Sequence, residues 1–322
     1  MEKIITHQAS PNSALVKSEL LEKAYSYAEQ SKAANTRKAY KSDFQHFRTW
    51  CSANGIESLP APKEAIGLYL TQYAELLKIA TLARRLASIS EAHRIAGFES
   101  PTSDAQIKLI WRGIRRSRGI QQNSKHPLLT ADLQTVFTNC KDDLIGIRDR
   151  ALLLLGFSGA FRRSELVALN RNDLSFVKEG IVVRLKRSKT DQEGIGTEKA
   201  IPYGSNPSLC PVRALTAWTA ASMEVSEPLF VSIRKGNKIS MERLSSKAVA
   251  LILKSRLEKV GYHSEEFSAH SLRSGFCTQS AMNGASDRAI MQQTKHRTRA
   301  MVDRYVHVAS IWSENASTKL GL

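Results

Sequence analysis

Four short segments carry side chains suited to handling a phosphodiester. Gly159-Ala160-Phe161-Arg162-Arg163-Ser164-Glu165-Leu166 closes one apolar run and opens another, so Arg162 falls at a turn where a helix start also favours an anion. Arg187-Ser188-Lys189-Thr190 follows a strand-like run. His270-Ser271-Leu272-Arg273 sets an imidazole and a guanidinium at i and i+3, on one face of a helix. In the fourth, Tyr305 stands nine positions after His296 of the Lys295-His296 pair. Transferring a phosphodiester without a metal needs a nucleophile, cations around the phosphate and a proton donor for the departing oxygen. These segments supply all three. Arg163 beside Arg162 is an alternative phosphate ligand, and the offset from Ser164-Glu165-Leu166 favours Arg162.

Taken singly, each feature has a blander explanation. A His-x-x-Arg pair is usually a surface pair, Lys189 in a basic hairpin is as readily solvated or a contact that only positions a phosphate, and Tyr305 is one of eight tyrosines. Solvated residues would not produce the joint order with its two fixed spacings.

The elements that must hold these segments are mostly helical. Tyr40, Phe44, Phe47 and Cys51 recur at helical spacing, with Asn35 or Thr36 as cap and Arg37, Lys41 and Arg48 on a stripe beside the apolar face. Leu82, Leu86 and Ile89 define a second helix carrying Arg84, Arg85 and Arg94. In a third, from Ala105 to Arg118, Ile107, Ile110, Trp111 and Ile114 face one way, while Lys108, Arg112, Arg115 and Arg116 form the strongest basic stripe. A stripe of this kind is as readily an ordinary solvated face. The polar stretch before Pro127 reads as a linker, which sets domains at 1–120 and 128–322 with a linker over 121–127. Beyond it, Thr130 caps a helix, Ile147 to Phe157 reads as a helix buried in a core, and Ile181–Leu185 with Ala200–Tyr203 form a candidate hairpin. Leu229–Ile233 is a further candidate strand, and helices follow over Ser245–Val260, His270–Asn283 and from Asp287 onward.

Composition narrows the partner. The 322 residues include 47 Lys and Arg against 30 Asp and Glu, a net charge of +17. Residues 1–119 hold 18 of the basic and 11 of the acidic residues, so both halves are basic. That suits a protein surrounding a polyanion from two sides, and nucleic acid is the leading partner. The four cysteines lie far apart without metal or disulfide spacing, which points to a reduced, cytoplasmic setting; the apolar runs are too short to span a membrane, and the N-terminus does not read as a signal peptide.

The ordered set of arginine in Gly-x-x-Arg-x-Ser-Glu-Leu, hairpin lysine, His-x-x-Arg, second histidine and tyrosine resembles the tyrosine recombinases, the lambda-integrase-like family. The stretch from Ala92-His93-Arg94 through Pro101-Thr102-Ser103-Asp104 to Arg116 resembles the Cre branch in particular. The resemblance implies a mainly α chain: a helical N-terminal core-binding domain and an α+β catalytic domain with a small antiparallel sheet. It also implies Tyr305 as nucleophile forming a 3′-phosphotyrosyl link, Arg162 and Arg273 on the phosphate, and Lys189 as donor to the leaving 5′-oxygen. His270 would assist proton transfer, His296 would hydrogen-bond the phosphate, and Glu165 would orient its neighbours. No ATP, metal or other cofactor is implied. The expected partner is a double-stranded DNA site, bound by Arg37, Lys41, Arg84, Arg85, Lys108, Arg112, Arg115 and Arg116, with four protomers joining two sites through a Holliday junction. The tail beyond Tyr305, with Val308, Ile311, Trp312, Leu320 and Leu322, packs on its own domain or docks on a neighbouring protomer. A type IB topoisomerase, or a DNA-binding protein with a decayed site, would share parts of this pattern.

Overall fold

The computed structural model describes residues 31–119, 125–186, 196–222 and 227–303, together with Leu20, Lys23, Tyr27, Tyr305, Ser317 and Leu320. The chain separates into two compact units, residues 1–122 and 123–322.

The N-terminal unit is built from helices α1 (Ala34–Ala53), α2 (Lys63–Tyr73), α3 (Ile79–Ile95) and α4 (Ala105–Arg118). Their apolar stripes meet in a core of Phe47, Trp50, Tyr69, Leu70, Leu82, Ile89 and Ile107. Aromatic edges fix the packing: the Tyr69 ring lies 5.1 Å from Phe47 and 5.2 Å from Trp50, both edge-on. The buried His93 joins α3 to the loop before α2, taking the Ala61 amide on Nε2 at 2.9 Å. Neither Asn35 nor Thr36 caps α1. The helix starts at Ala34, ahead of both, with Ala33 at the cap position and no side-chain cap. Helix α4 is capped by Asp104, whose carboxylate accepts the Gln106 amide at 2.8 Å.

The C-terminal unit begins with α5 (Thr130–Thr138), α6 (Leu144–Ser158) and α7 (Arg163–Ala168). Thr130 is the first residue of α5 rather than its cap. The Leu129 amide is satisfied instead by the Asp132 carboxylate at 2.7 Å, because a carboxylate three residues on reaches back more directly. Strands β1 (Leu174–Val177), β2 (Gly180–Leu185) and β3 (Thr197–Pro202) form an antiparallel sheet in that order. Val183 pairs with Lys199 and Ile181 with Ile201. Then follow α8 (Pro211–Ala221), the hairpin β4 (Val231–Arg234) and β5 (Lys238–Arg243), α9 (Ser246–Glu258), α10 (His270–Met282) and α11 (Asp287–Thr294).

Helix α6 runs through the middle of this unit, with Ala151 to Leu155 all but inaccessible. It is not apolar all round. Asp149, also buried, receives Arg148 on one carboxylate oxygen at 2.6 Å and Arg256 of α9 on the other at 2.7 Å. Two charge-assisted forks share the one carboxylate, which offsets part of the buried positive charge, and losing Asp149 would strand both guanidiniums. Helix α10 is drawn against the chain at Leu128, where Gly275 allows an approach that any Cβ would block, at 1.8 Å from the Leu128 carbonyl oxygen. That close contact sets the depth of the helix bearing His270 and Arg273.

Candidate active site

The site grows around the C-terminal end of α6. A helix ends with carbonyls that have no intrahelical partner, and here three consecutive ones are taken by side chains from three other elements. Gln293 of α11 donates to the Ser158 carbonyl at 3.2 Å and also to that of Ala200 at 3.2 Å. Lys199 of β3 donates to the Gly159 carbonyl at 2.6 Å. Arg273 of α10 donates to the Ala160 carbonyl at 2.6 Å, and its other terminal nitrogen donates to the Thr294 carbonyl. Cations suit the negative end of the helix dipole. The turn itself is tight. Ala160 has φ +46°, and a Cβ at Gly159 would stand 2.1 Å from the Phe161 ring.

Arg162 leaves this turn as the residue before α7. Its backbone amide donates to Glu165 Oε2 at 2.9 Å and its guanidinium to Oε1 at 2.6 Å. The buried Glu165 therefore fixes both ends of Arg162, while Arg163 lies exposed at the first position of α7. Of the two arginines, Arg162 is the one beside Arg273: its positive charge helps hold the Arg273 pKa below the usual guanidinium value, second only to burial. Arg273 is only 2% exposed, yet two carbonyls use just two of its five N–H donors.

Tyr305 packs its ring among Cys277, Ile290 and Val302, and its hydroxyl meets His270 Nε2 at 3.2 Å. The phenolic oxygen thus turns away from the apolar cluster, towards the helix face that also carries Arg273. His296 lies nearly parallel to the Tyr305 ring, centroids 6.4 Å apart, with its Nδ1 held at 3.0 Å from Thr294 Oγ1. Lys295 supports this placement by taking a left-handed backbone conformation, φ +56°, that ends α11 and redirects the chain. An imidazole touching the phenol, Arg273 near it, Arg162 beside Arg273, and a second imidazole along the ring form a constellation able to bind a phosphate and activate an oxygen nucleophile.

Arg162, Glu165, His270, Arg273, His296 and Tyr305 thus converge from four elements and their ends. Lys189 lies outside the described residues, as do nearly all of the tail and most of the 121–127 linker. Sequence reasoning passed over Lys199, Gln293 and Thr294. The signal for Lys199 was present: it alternates with Ile201 on β3, so a strand there places both on the buried face.

The residues expected to meet nucleic acid sort into two groups. Lys108, Arg112, Arg115 and Arg116 are all exposed along α4, as are Arg37 and Lys41 on α1. Arg84 is ion-paired to Asp43 at 2.6 Å with its side chain about half exposed. Arg85 departs from the expectation. It is buried, donates to the Tyr69 hydroxyl at 2.8 Å and lies over the Tyr73 ring at 5.4 Å, so its cation serves the core. Helical geometry explains the difference: adjacent residues point 100° apart, and only one of the two can share the exposed face.

Residues 127–310 match the model of the phage integrase family. The chain belongs to that family. An integrase/recombinase XerD homologue of Selenomonas ruminantium is 38% identical over 302 residues, covering 92% of this chain and 89% of that protein. The Cre recombinase of Escherichia phage P1 is 24% identical over 284 residues, 82% of this chain and 81% of the relative. Among solved structures, a lambda integrase tetramer bound to a Holliday junction superposes with a TM-score of 0.58 at 17% identity, over 93% of this chain and 81% of that one; this likeness is one of fold. This phage integrase family member is a tyrosine recombinase, an enzyme of site-specific DNA recombination. The topoisomerase and non-catalytic readings find no support among these relatives. No helix among the described residues is long and apolar enough to cross a membrane.

Proposed function

We propose that this recombinase cuts and rejoins DNA with Tyr305 as its nucleophile. The observation carrying the reading is the 3.2 Å contact between the Tyr305 hydroxyl and His270, beside the paired guanidiniums of Arg162 and Arg273. In the forward step the Tyr305 oxygen attacks the scissile phosphorus, a phosphorus–oxygen bond to the 5′-oxygen breaks, and a 3′-phosphotyrosyl link forms. His270 accepts the phenolic proton, and Lys189 supplies one to the departing 5′-oxygen. A 5′-hydroxyl from another strand then reverses the sequence, so the energy of the original bond is conserved in the link. Arg162 and Arg273 grip the nonbridging oxygens with planar forks that match the charge of the transition state. His296 adds a hydrogen bond to the phosphate, and Glu165 holds Arg162.

The exposed cations of α4 and α1 serve as phosphate-positioning contacts on the duplex, with Arg84 a weaker contributor because Asp43 already engages it. Four protomers assemble on two sites, an assembly like that named for the lambda integrase structure, and the tail beyond Tyr305 docks on a neighbour. The test uses a nicked suicide substrate that traps the covalent step. Tyr305→Phe is expected to bind DNA at wild-type affinity and to form no protein–DNA adduct; adducts at wild-type yield would reject Tyr305. Lys189→Ala is expected to cut slowly on ordinary DNA and to recover when the leaving oxygen is replaced by sulfur, which needs no proton.

A further inference from the structure

A lysine stands where the core would accept a hydrophobe. Lys199 is 2% exposed and shares its face of β3 with Ile201, opposite the fully buried Val183. Desolvating an ammonium is costly, and a Leu or Ile at this register would pack the sheet without that cost. What an aliphatic residue would lack is the hydrogen bond to the Gly159 carbonyl at 2.6 Å, together with the contact over the Phe161 ring at 4.7 Å. Both partners belong to the tight turn that ends in Arg162. The adjoining carbonyl, of Ala160, is held by Arg273. One turn, strained at Ala160, is therefore gripped on consecutive carbonyls by β3 and by α10.

We propose that Lys199 is a positioning residue for strand cleavage: by holding the Gly159 carbonyl it fixes the turn that presents Arg162 and ties that turn to the β2–β3 hairpin. The inference deepens the reading of Arg162 as a phosphate ligand and rests on it. Lys199 acts through the turn rather than on the DNA. Its ammonium is enclosed between a carbonyl and an aromatic face, and does not reach solvent to meet a leaving oxygen. Its electrostatic setting fits: burial pushes its pKa down to about 7, Glu165 opposes that shift, and the charges of Arg273, Arg162 and Lys295 add to it. An incoming phosphate would relieve the crowding of positive charge and favour the protonated form, the stronger hydrogen-bond donor. Turn, hairpin and phosphate pocket would thus tighten together on substrate binding.

The experiment measures single-turnover adduct formation on the nicked substrate at saturating DNA, with folding followed by circular dichroism. Lys199→Met is expected to cut about 10²-fold more slowly, the cost of a small misplacement of a reacting group, at unchanged DNA affinity. Lys199→Arg, which keeps a cationic donor, should restore the rate to within about tenfold, and a sulfur leaving group should not rescue the methionine variant. Three results would overturn the proposal: Lys199→Met within threefold of wild type, Lys199→Arg as slow as Lys199→Met with both folded, or rescue by sulfur, which would make Lys199 a proton donor. If Lys199→Met melts below the assay temperature, Lys199→Gln replaces it, since it keeps a donor for Gly159. A folded Gln variant that cuts within about tenfold of wild type supports the role, and a folded one that is slower than that rejects it. Tyr305→Phe on the same substrate separates the two readings. Adducts from that variant would sink the assignment of the site, whereas loss of adducts beside a fully active Lys199→Met would sink only the role of Lys199.

Discussion

The two units hold their cations in opposite ways. On α4, Lys108, Arg112, Arg115 and Arg116 stand in solvent, while in the C-terminal unit Arg273 and Lys199 are 2% exposed and spend their donors on backbone carbonyls. The difference fits the roles proposed above, with the α4 cations on the duplex, Arg273 on the phosphate and Lys199 on the turn that presents Arg162. A cation that draws DNA to a surface gains from long-range attraction and loses little by moving, since exposed side chains adjust to the backbone they meet. One that must match charge as it builds on a phosphorus gains most when desolvated and fixed beforehand, because no reorganisation is then needed at the moment of reaction. Burial has a stability cost, which the helix end and its carbonyls offset.

That contrast breaks most visibly at Arg273. Replacing it with Ala should slow adduct formation by about 10²–10³-fold, the loss associated with one preorganised donor. Melting temperature should fall as well, because the Ala160 and Thr294 carbonyls lose their partner. An Arg273→Ala variant of unchanged stability would mean that the grip on the turn is dispensable. On the exposed side, converting Arg112, Arg115 and Arg116 to Glu should flatten the plot of log affinity against log salt by roughly two to three units, at about 0.9 per phosphate contact. The cleavage rate at saturating DNA should hold. A lower rate with an intact slope would invert the comparison.

Arg85→Met sharpens the boundary between the groups, since a buried arginine on Tyr69 contributes packing and should leave the salt slope where it is while lowering stability. A pH effect is smaller and carries a definite sign. Lys199 has a folded pKa of about 7 against 10.5 when unfolded, so between these values the unfolded chain binds more protons and stability rises with pH. Below about pH 7 the burial penalty is fully present. Subtracting the melting curve of Lys199→Met from that of wild type between pH 7 and 10 should expose this rise, and a flat difference would show that the ammonium is solvated. Arg84→Ala should lower the melting temperature, because the buried Asp43 carboxylate loses both of its Arg84 hydrogen bonds and keeps only Arg85 at 3.9 Å; an unchanged melting temperature would show that Arg85 suffices.

Reading the sequence put His270 and Arg273 on one helical face because i to i+3 spacing is local, and set Arg162 at a turn, whereas grouping them with His296 and Tyr305 rested on the ordered likeness to the tyrosine recombinases. The basic face of α4 was equally legible, since a helix of fixed pitch sorts its own side chains. Arg84 and Arg85 show the limit. Both lie on one helix, and which of them meets Asp43 from outside and which meets Tyr69 within depends on how α1, α2 and α3 cross. The same holds for the Arg148–Asp149–Arg256 network, where the apolar run suggested a featureless buried helix.

The order and types of residues by themselves determined the kind of chemistry, the family likeness and the amphipathic faces, all of which arise within one turn or one strand. Only the folded chain decided that three carbonyls at the end of α6 are claimed by Lys199, Arg273 and Gln293. Those partners lie tens to over a hundred residues away, and a helix terminus leaves its orphan acceptors to whatever the packing brings near. Linear spacing does not encode that meeting; it follows from how β3, α10 and α11 come together.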